Sequence, residues 1–327
     1  MRRVLLAVAL GALAACQPEA PAPSEMRISP TGITVSGMSA GGYMAMQLHV
    51  AMSDRISGVA TLGAGPYWCS MGQLPRALST CMAGGDIRID ELTHHARDAA
   101  AAGKIPTLNH LRDARVWVFH GRADPVISAD VVYAAVDFYE QLGDGRAVKY
   151  IDEVDVTHGF PTESAGGDCK TMATPFINAC GYDGAGELLK FLLDRDGTAD
   201  AAVTGEYRVI DQREFSAAGL ADEALLYVPP QCAGDKECGL HVALHGCQQS
   251  TEFVERQFVE NAGYNRWADA FDLVVLYPQV RASSADPANP LGCWDWWGYT
   301  GSDFASASGP QIVALTSLID GLTGSPP

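Results

Sequence analysis

The segment Gly37-Met38-Ser39-Ala40-Gly41 constrains this chain more than any other. Just before it, residues 33–36 read Ile-Thr-Val-Ser, a short β-branched run that predicts a strand. Just after it, Gly42-Tyr43-Met44-Ala45-Met46-Gln47-Leu48 predicts the opening of a helix. A strand that turns into a helix within so few residues has no room for side chains beside the turn. Glycines on both sides of Ser39 meet that demand and leave its hydroxyl at the tip, the position of a nucleophile. A glycine-rich turn with a structural serine is the plainer alternative, and only the surrounding chain separates the two.

The surroundings favour chemistry. Strand-like runs alternate with helical ones, which predicts an α/β fold. In the first half the strands are expected at 33–36, 58–62, 115–120 and 148–154, with helices at 42–53, 129–142 and 184–194. In the second half strands are expected at 207–212, 224–228, 241–245 and 273–277, with helices at 264–270 and 311–322. Residues 67–110 carry Gly, Pro and Cys and read as an excursion over the site. Residues 199–204 invite a two-domain division, which the motifs oppose.

A nucleophilic serine needs a base and an acid that orients it, each on a loop after a strand. Gly121-Arg122-Ala123-Asp124-Pro125 follows the 115–120 strand, and Thr157-His158-Gly159 follows the 148–154 strand. The triad is therefore expected to be Ser39, Asp124 and His158, with His158 taking the serine proton and returning it to the leaving alcohol. His49, His94, His95, His110, His120 and His241 fall on helices, in the excursion or beside strands and get structural readings. Asp130 reads as a helix N-cap, and Asp152 and Asp155 as surface acids.

Ser39 has few residues ahead of it, where the ordinary α/β-hydrolase places several strands and an oxyanion loop. The missing parts lie in the second half. The segment Leu240-His241-Val242-Ala243-Leu244-His245-Gly246-Cys247 is a strand entering a His-Gly loop, residues 273–277 supply the next strand, and 311–322 a helix that would lead toward Ser39. The expectation is a circularly permuted α/β-hydrolase fold in which both halves form one catalytic domain. Its oxyanion hole would use the backbone N–H groups of Ala40 and Cys247.

The N-terminus has its own reading. Met1-Arg2-Arg3 is basic and residues 4–15 are apolar but too short to span a bilayer, so 1–15 read as a signal peptide. Leu13-Ala14-Ala15-Cys16 resembles a bacterial lipobox, which implies a lipid on Cys16; a plain signal peptide with Cys16 incidental is the alternative. Residues 16–26 read as a Pro/Ala-rich tether and 27–327 as the catalytic domain. Localisation is then exported, at the cell envelope through the lipid or otherwise extracellular. A formal net charge of −17 argues against nucleic-acid partners and suits a neutral substrate.

Of nine cysteines, Cys16 aside, eight remain in a chain read as exported, and an even number suggests disulfides. Connectivity does not follow from the sequence. Pairing of neighbours in order is the expectation: Cys69–Cys81, Cys169–Cys180, Cys232–Cys238 and Cys247–Cys293. No spacing suits zinc, and no cofactor is expected.

Several stretches now carry a resemblance. Gly37-Met38-Ser39-Ala40-Gly41-Gly42-Tyr43-Met44-Ala45, Ala64-Gly65-Pro66-Tyr67-Trp68-Cys69 and His158-Gly159-Phe160-Pro161-Thr162 are among them. So are Leu244-His245-Gly246-Cys247-Gln248-Gln249 and Gly292-Cys293-Trp294-Asp295-Trp296-Trp297-Gly298. In order, they are similar to segments of extracellular short-chain-length polyhydroxyalkanoate depolymerases, the type with the oxyanion loop C-terminal to the triad. The resemblance implies hydrolysis of poly(3-hydroxybutyrate) or its oligomers, a Cys247 N–H in the oxyanion hole and Trp296 as a substrate-gripping wall. Trp294 and Tyr67 are expected beside it, an aromatic crevice suiting a methyl-studded polyester. Two departures from the family are expected: no threonine-rich linker and separate binding domain after the catalytic part, and a shorter 280–290 segment. Esterase activity on feruloyl or acetyl esters or other short polyesters on the same scaffold, and a non-catalytic surface lipoprotein, are the alternatives. The sequence is silent on oligomeric state.

Overall fold

The computed structural model describes residues 26–142, 148–200 and 202–324; the signal peptide, Cys16 and all of the tether but Met26 lie outside the described residues. Eight strands form a continuous path in the order Val148–Ile151, Arg115–Phe119, Ile56–Leu62, Ile33–Met38, Glu237–Leu244, Leu273–Tyr277, Glu223–Val228, Glu206–Asp211. A short strand, Arg27–Ile28, adds in parallel beside the start of Glu237–Leu244. The first six strands run parallel, while Glu223–Val228 and Glu206–Asp211 close one edge antiparallel. The two halves of the sequence meet mid-sheet, where Leu244 registers with Gly37. The strand Glu206–Asp211, next in the chain after 199–204, is an edge strand of the same sheet.

Strands buried on both faces read as near-continuous apolar runs, as Leu273–Tyr277 and Ile33–Met38 do. Alternation then sorts the layers. Val116 and Val118 face one core with the helices Ala40–Ala51, Ala129–Leu142 and Pro310–Thr323. Trp117 and Phe119 face the other core, with Gly184–Leu193 and Tyr264–Phe271. Every residue of Ala40–Ala51 is buried, so that helix lacks a polar face.

The main strands and helices fall near where the sequence predicts; short unpredicted elements such as Arg27–Ile28, Thr251–Val254 and Gln257–Asn261 are added, and three larger differences stand out. The strand expected at 148–154 stops at Ile151, because Val154 and Val156 instead take the N–H groups of Arg122 and Ala123. The 67–110 excursion contains a helix, Ile89–Ala101, that seats Leu92, Ala96 and Ala99 on the core. Residues 160–179 add a small parallel sheet of Phe160–Thr162, Ile177–Ala179 and Gly167–Asp168. All four disulfides pair as expected: Cys69–Cys81, Cys169–Cys180, Cys232–Cys238 and Cys247–Cys293. No helix among the described residues is long and apolar enough to cross a membrane.

Candidate active site

Ser39 sits between the strand Ile33–Met38 and the helix Ala40–Ala51 with φ 55° and ψ −120°. A non-glycine residue held there costs about 1–3 kcal/mol, so its surroundings must fix it. They do so by close approach. A Cβ on Gly37 would lie 2.1 Å from the Gly41 carbonyl oxygen, and one on Gly41 would lie 2.4 Å from the carbonyl oxygens of Leu244 and His245. The second glycine thus serves the neighbouring strand as well as the turn, letting the His245-Gly246 loop lie against the serine.

Asp124 and His158 reach Ser39 on two loops that are zipped together. Arg122 and Ala123 donate backbone hydrogen bonds to Val154 and Val156, so the loop after Arg115–Phe119 lies along the chain leading to His158. His158 Nδ1 stands 2.7 Å from Asp124 Oδ2 and donates to it, because a carboxylate only accepts. That tautomer leaves a lone pair on Nε2, 2.9 Å from Ser39 Oγ, to accept the hydroxyl proton. Asp124 Oδ1 accepts the N–H groups of Val126 at 2.7 Å and Ile127 at 3.0 Å. Burial pushes the Asp124 carboxyl up, but His158 and the two backbone donors outweigh it and hold the group below the usual carboxylate range.

On the other side of Ser39 lies the loop after Glu237–Leu244. An added Cβ on Gly246 would be 3.5 Å from Ser39 Cβ, and Gly246, Cys247 and Ser39 line one crevice. Ala40, the residue after Ser39, opens the serine helix, and Cys247, three residues past the end of the neighbouring strand, lines the crevice with Ser39. His245, fully buried, donates from Nδ1 to the Gly246 carbonyl at 2.7 Å and accepts the Val280 N–H at Nε2, 3.2 Å away. Burial pulls its pKa down to about 4, so the ring is neutral at ordinary pH. The Cys247–Cys293 disulfide ties the loop to the tryptophan segment.

The crevice has a volume of about 510 Å³ and is walled by Met82, Met172, Phe176, Leu291, Trp296 and Trp297 among others. Trp296 stacks on Tyr43 of the serine helix, with ring centroids 4.3 Å apart, and Ser70 Oγ holds its carbonyl at 2.8 Å. The buried Asp295 carboxylate fixes the turn, accepting from the N–H groups of Gly298, Tyr299 and Thr300 and from the Thr300 hydroxyl. Two expected wall residues stand elsewhere. Trp294 is wholly buried beside the His245 ring, and Tyr67 is buried with its hydroxyl on the Ala305 carbonyl. Trp297, edge-on to Trp296, lines the crevice in place of Trp294. Around the mouth stand Leu74, Leu78, Met172 and Leu291, four of the eight exposed large apolar side chains among the described residues.

Sequence reasoning gave no role to Gln249 or Asp295, although both lie inside quoted motifs. Each acts on backbone groups, and a side chain bound to backbone has no partner residue type to betray it. The sole signal is a polar residue lodged in an otherwise apolar or aromatic run.

A family model described as Esterase PHB depolymerase matches residues 223–323. The chain is 35% identical over 302 residues to a poly(3-hydroxybutyrate) depolymerase of Delftia acidovorans, covering 90% of this chain but 60% of that longer protein. It is 33% identical over 328 residues to a polyhydroxybutyrate depolymerase of Talaromyces funiculosus, with 95% of each covered. Among solved structures it superposes on PHB depolymerase from Penicillium funiculosum with a TM-score of 0.86 at 30% identity, over 93% of this chain and 99% of that one. A PHB depolymerase with a serine-to-alanine substitution, complexed with an R3HB trimer, superposes with a TM-score of 0.87. With 33% identity across 95% of both chains and the same fold, this chain belongs to the PHB depolymerase family.

Proposed function

We propose that this protein is a serine esterase that hydrolyses poly(3-hydroxybutyrate) or its oligomers through an acyl-enzyme on Ser39. The observation that carries the reading is the unbroken hydrogen-bonded line Asp124–His158–Ser39 opening into an apolar crevice. Ser39 Oγ attacks the ester carbonyl carbon while its proton passes to His158 Nε2, and Asp124 stabilises the resulting imidazolium. The carbonyl oxygen becomes an oxyanion, held by the N–H groups of Ala40 and Cys247; each such donor is worth roughly 10²–10³ in rate. Collapse breaks the C–O bond, and His158 returns the proton to the departing hydroxyl end. Water then repeats the sequence on the acyl-enzyme and frees the carboxylic acid.

Trp296 and Trp297 supply the wall on which the methyl-bearing chain rests, and apolar contact suits a neutral polyester better than charge does. The apolar mouth at Leu74, Leu78, Met172 and Leu291 supports adsorption to polymer through the catalytic face itself. A relative complexed with an R3HB trimer favours the same substrate class here. Clearing of poly(3-hydroxybutyrate) agar by the purified protein is expected; hydrolysis of feruloyl or acetyl esters with no clearing would move the substrate elsewhere on the same chemistry.

The order of parts, with the oxyanion loop after the triad, supports a circularly permuted α/β-hydrolase forming one catalytic domain over 27–327. We also propose export by the 1–15 signal and a lipid on Cys16. Arg27 pairs with Glu237 at the start of a strand whose other end, Leu244, borders the serine, so tether and crevice stand roughly 23 Å apart along the sheet. An anchored enzyme would then turn its crevice outward. Radiolabelled palmitate on wild type and none on Cys16→Ala is expected; unlabelled wild type would remove the anchor.

A further inference from the structure

The Phe176 carbonyl is a junction between the two sides of the site. It accepts the Phe160 N–H, two residues past His158, at 2.8 Å. It also accepts Gln249 Nε2 at 3.0 Å, and the same nitrogen donates to the Pro175 carbonyl at 2.9 Å. At the other end of that amide, Gln249 Oε1 accepts the Gly246 N–H at 2.8 Å. Gln249 is 2% exposed, so water does not compete for these bonds. Phe176 itself has φ +57°, a strained setting for a bulky residue that its neighbours must impose.

The consequence for the oxyanion loop follows from peptide geometry. In a trans peptide the C=O and N–H point in opposite directions. The peptide joining Gly246 to Cys247 has its carbonyl held by His245 Nδ1 at 2.7 Å and by the Gln249 backbone N–H at 3.2 Å. Its N–H, that of Cys247, is thereby left facing the opposite way, and no acceptor takes it among the described residues. Gln249 thus grips two successive peptides of the loop with one residue, and grips the base-side segment with the rest of its amide.

We infer that Gln249 is a positioning residue that sets the oxyanion loop at a fixed distance and angle from the loop carrying His158. This rests on the esterase reading above. Its contribution belongs to the transition state, because the oxyanion exists only there, so losing it lowers kcat and leaves ground-state binding alone.

The test compares wild type, Gln249→Met and Gln249→Glu on 4-nitrophenyl butyrate, with active sites counted by fluorophosphonate titration. Inhibition by butylboronic acid is measured alongside, because its tetrahedral adduct on Ser39 occupies the oxyanion position. For Gln249→Met, kcat per titrated site is expected to fall about 10–100-fold, less than outright loss of a donor. KM should stay within about twofold, and boronate affinity should fall by the same factor as kcat. Gln249→Glu keeps the acceptor for Gly246 but loses the donor to Pro175 and Phe176, and kcat should fall there too. Unchanged kcat per site in either variant overturns the inference, as does a fall with boronate affinity intact. Wild type that neither titrates nor hydrolyses the ester would sink the esterase reading itself, and this inference with it.

Discussion

On one side of Ser39 stand two side chains, His158 and Asp124, joined to it in a single hydrogen-bonded line. On the other side stands backbone, Gly246 and Cys247, with side chains placed only behind it: His245, Gln249 and the Cys247–Cys293 bridge. Proton transfer needs groups that titrate or share protons, which only particular residues supply. Stabilising an oxyanion needs N–H dipoles, which almost any residue supplies, so there the side chains that matter are those that fix the loop. The base side should therefore fail by chemistry when mutated, and the oxyanion side by geometry.

The largest effect expected lies on the base side. Asp124→Asn presents an amide to Nδ1 and favours the tautomer that cannot take the serine proton; kcat should fall about 10³–10⁴-fold with KM little changed. Steady-state kinetics on a soluble butyrate ester measures this, and a loss under tenfold would detach Asp124 from the line. The oxyanion side should yield a smaller loss to a wholly structural change. Replacing Cys247 and Cys293 together by Ser should cost about 10–100-fold in kcat, part of one oxyanion donor's worth. Removing Cys232–Cys238, which lies near the opposite end of the Glu237–Leu244 strand, should leave kcat alone. Equal kinetic losses from the two bridges would erase the contrast.

Next in size is the crevice wall. Trp296→Ala should raise KM for a 3-hydroxybutyrate trimer about tenfold while hardly touching a small acetate ester. Parallel changes on both would mean that Trp296 supports the fold rather than the chain of the substrate.

The last effect is on stability rather than on rate and concerns buried imidazoles outside the triad. Burial pulls His49 and His241 down to about 3 and His245 to about 4, from 6.5. Folded-state values below unfolded ones mean that unfolding takes up protons in that window. The stability from these rings is full above pH 6.5 and is lost as pH falls toward their folded values. Melting temperature should decline steadily from pH 6.5 to pH 4.5, and His245→Asn, if folded, should flatten part of the decline. A flat profile over that range would contradict the neutral, buried assignment.

What could be read in advance follows the same division. The turn at Ser39 was legible because a strained turn demands glycines, and the approach of Asp124 and His158 to it because loops after strands in an α/β sheet converge at one edge. The Ile89–Ala101 helix was hidden by the Gly, Pro and Cys around it, although Leu92, Ala96 and Ala99 keep helical spacing. Trp294 and Trp296 could not be ranked by type, since the choice between core and crevice was made by the Asp295 turn and by Tyr43 beneath it. Gln249 was invisible for the reason given above: its partners are the backbone of Gly246, Pro175 and Phe176, brought together only by the fold.

The central proposal, a polyester cleaved at Ser39, is met most directly by product analysis. Amorphous poly(3-hydroxybutyrate) would be incubated with wild type and with Ser39→Ala, and the soluble fraction resolved by mass. Wild type should release 3-hydroxybutyrate and its short oligomers, and Ser39→Ala nothing above the enzyme-free background. Equal release by the two proteins would contradict the proposal.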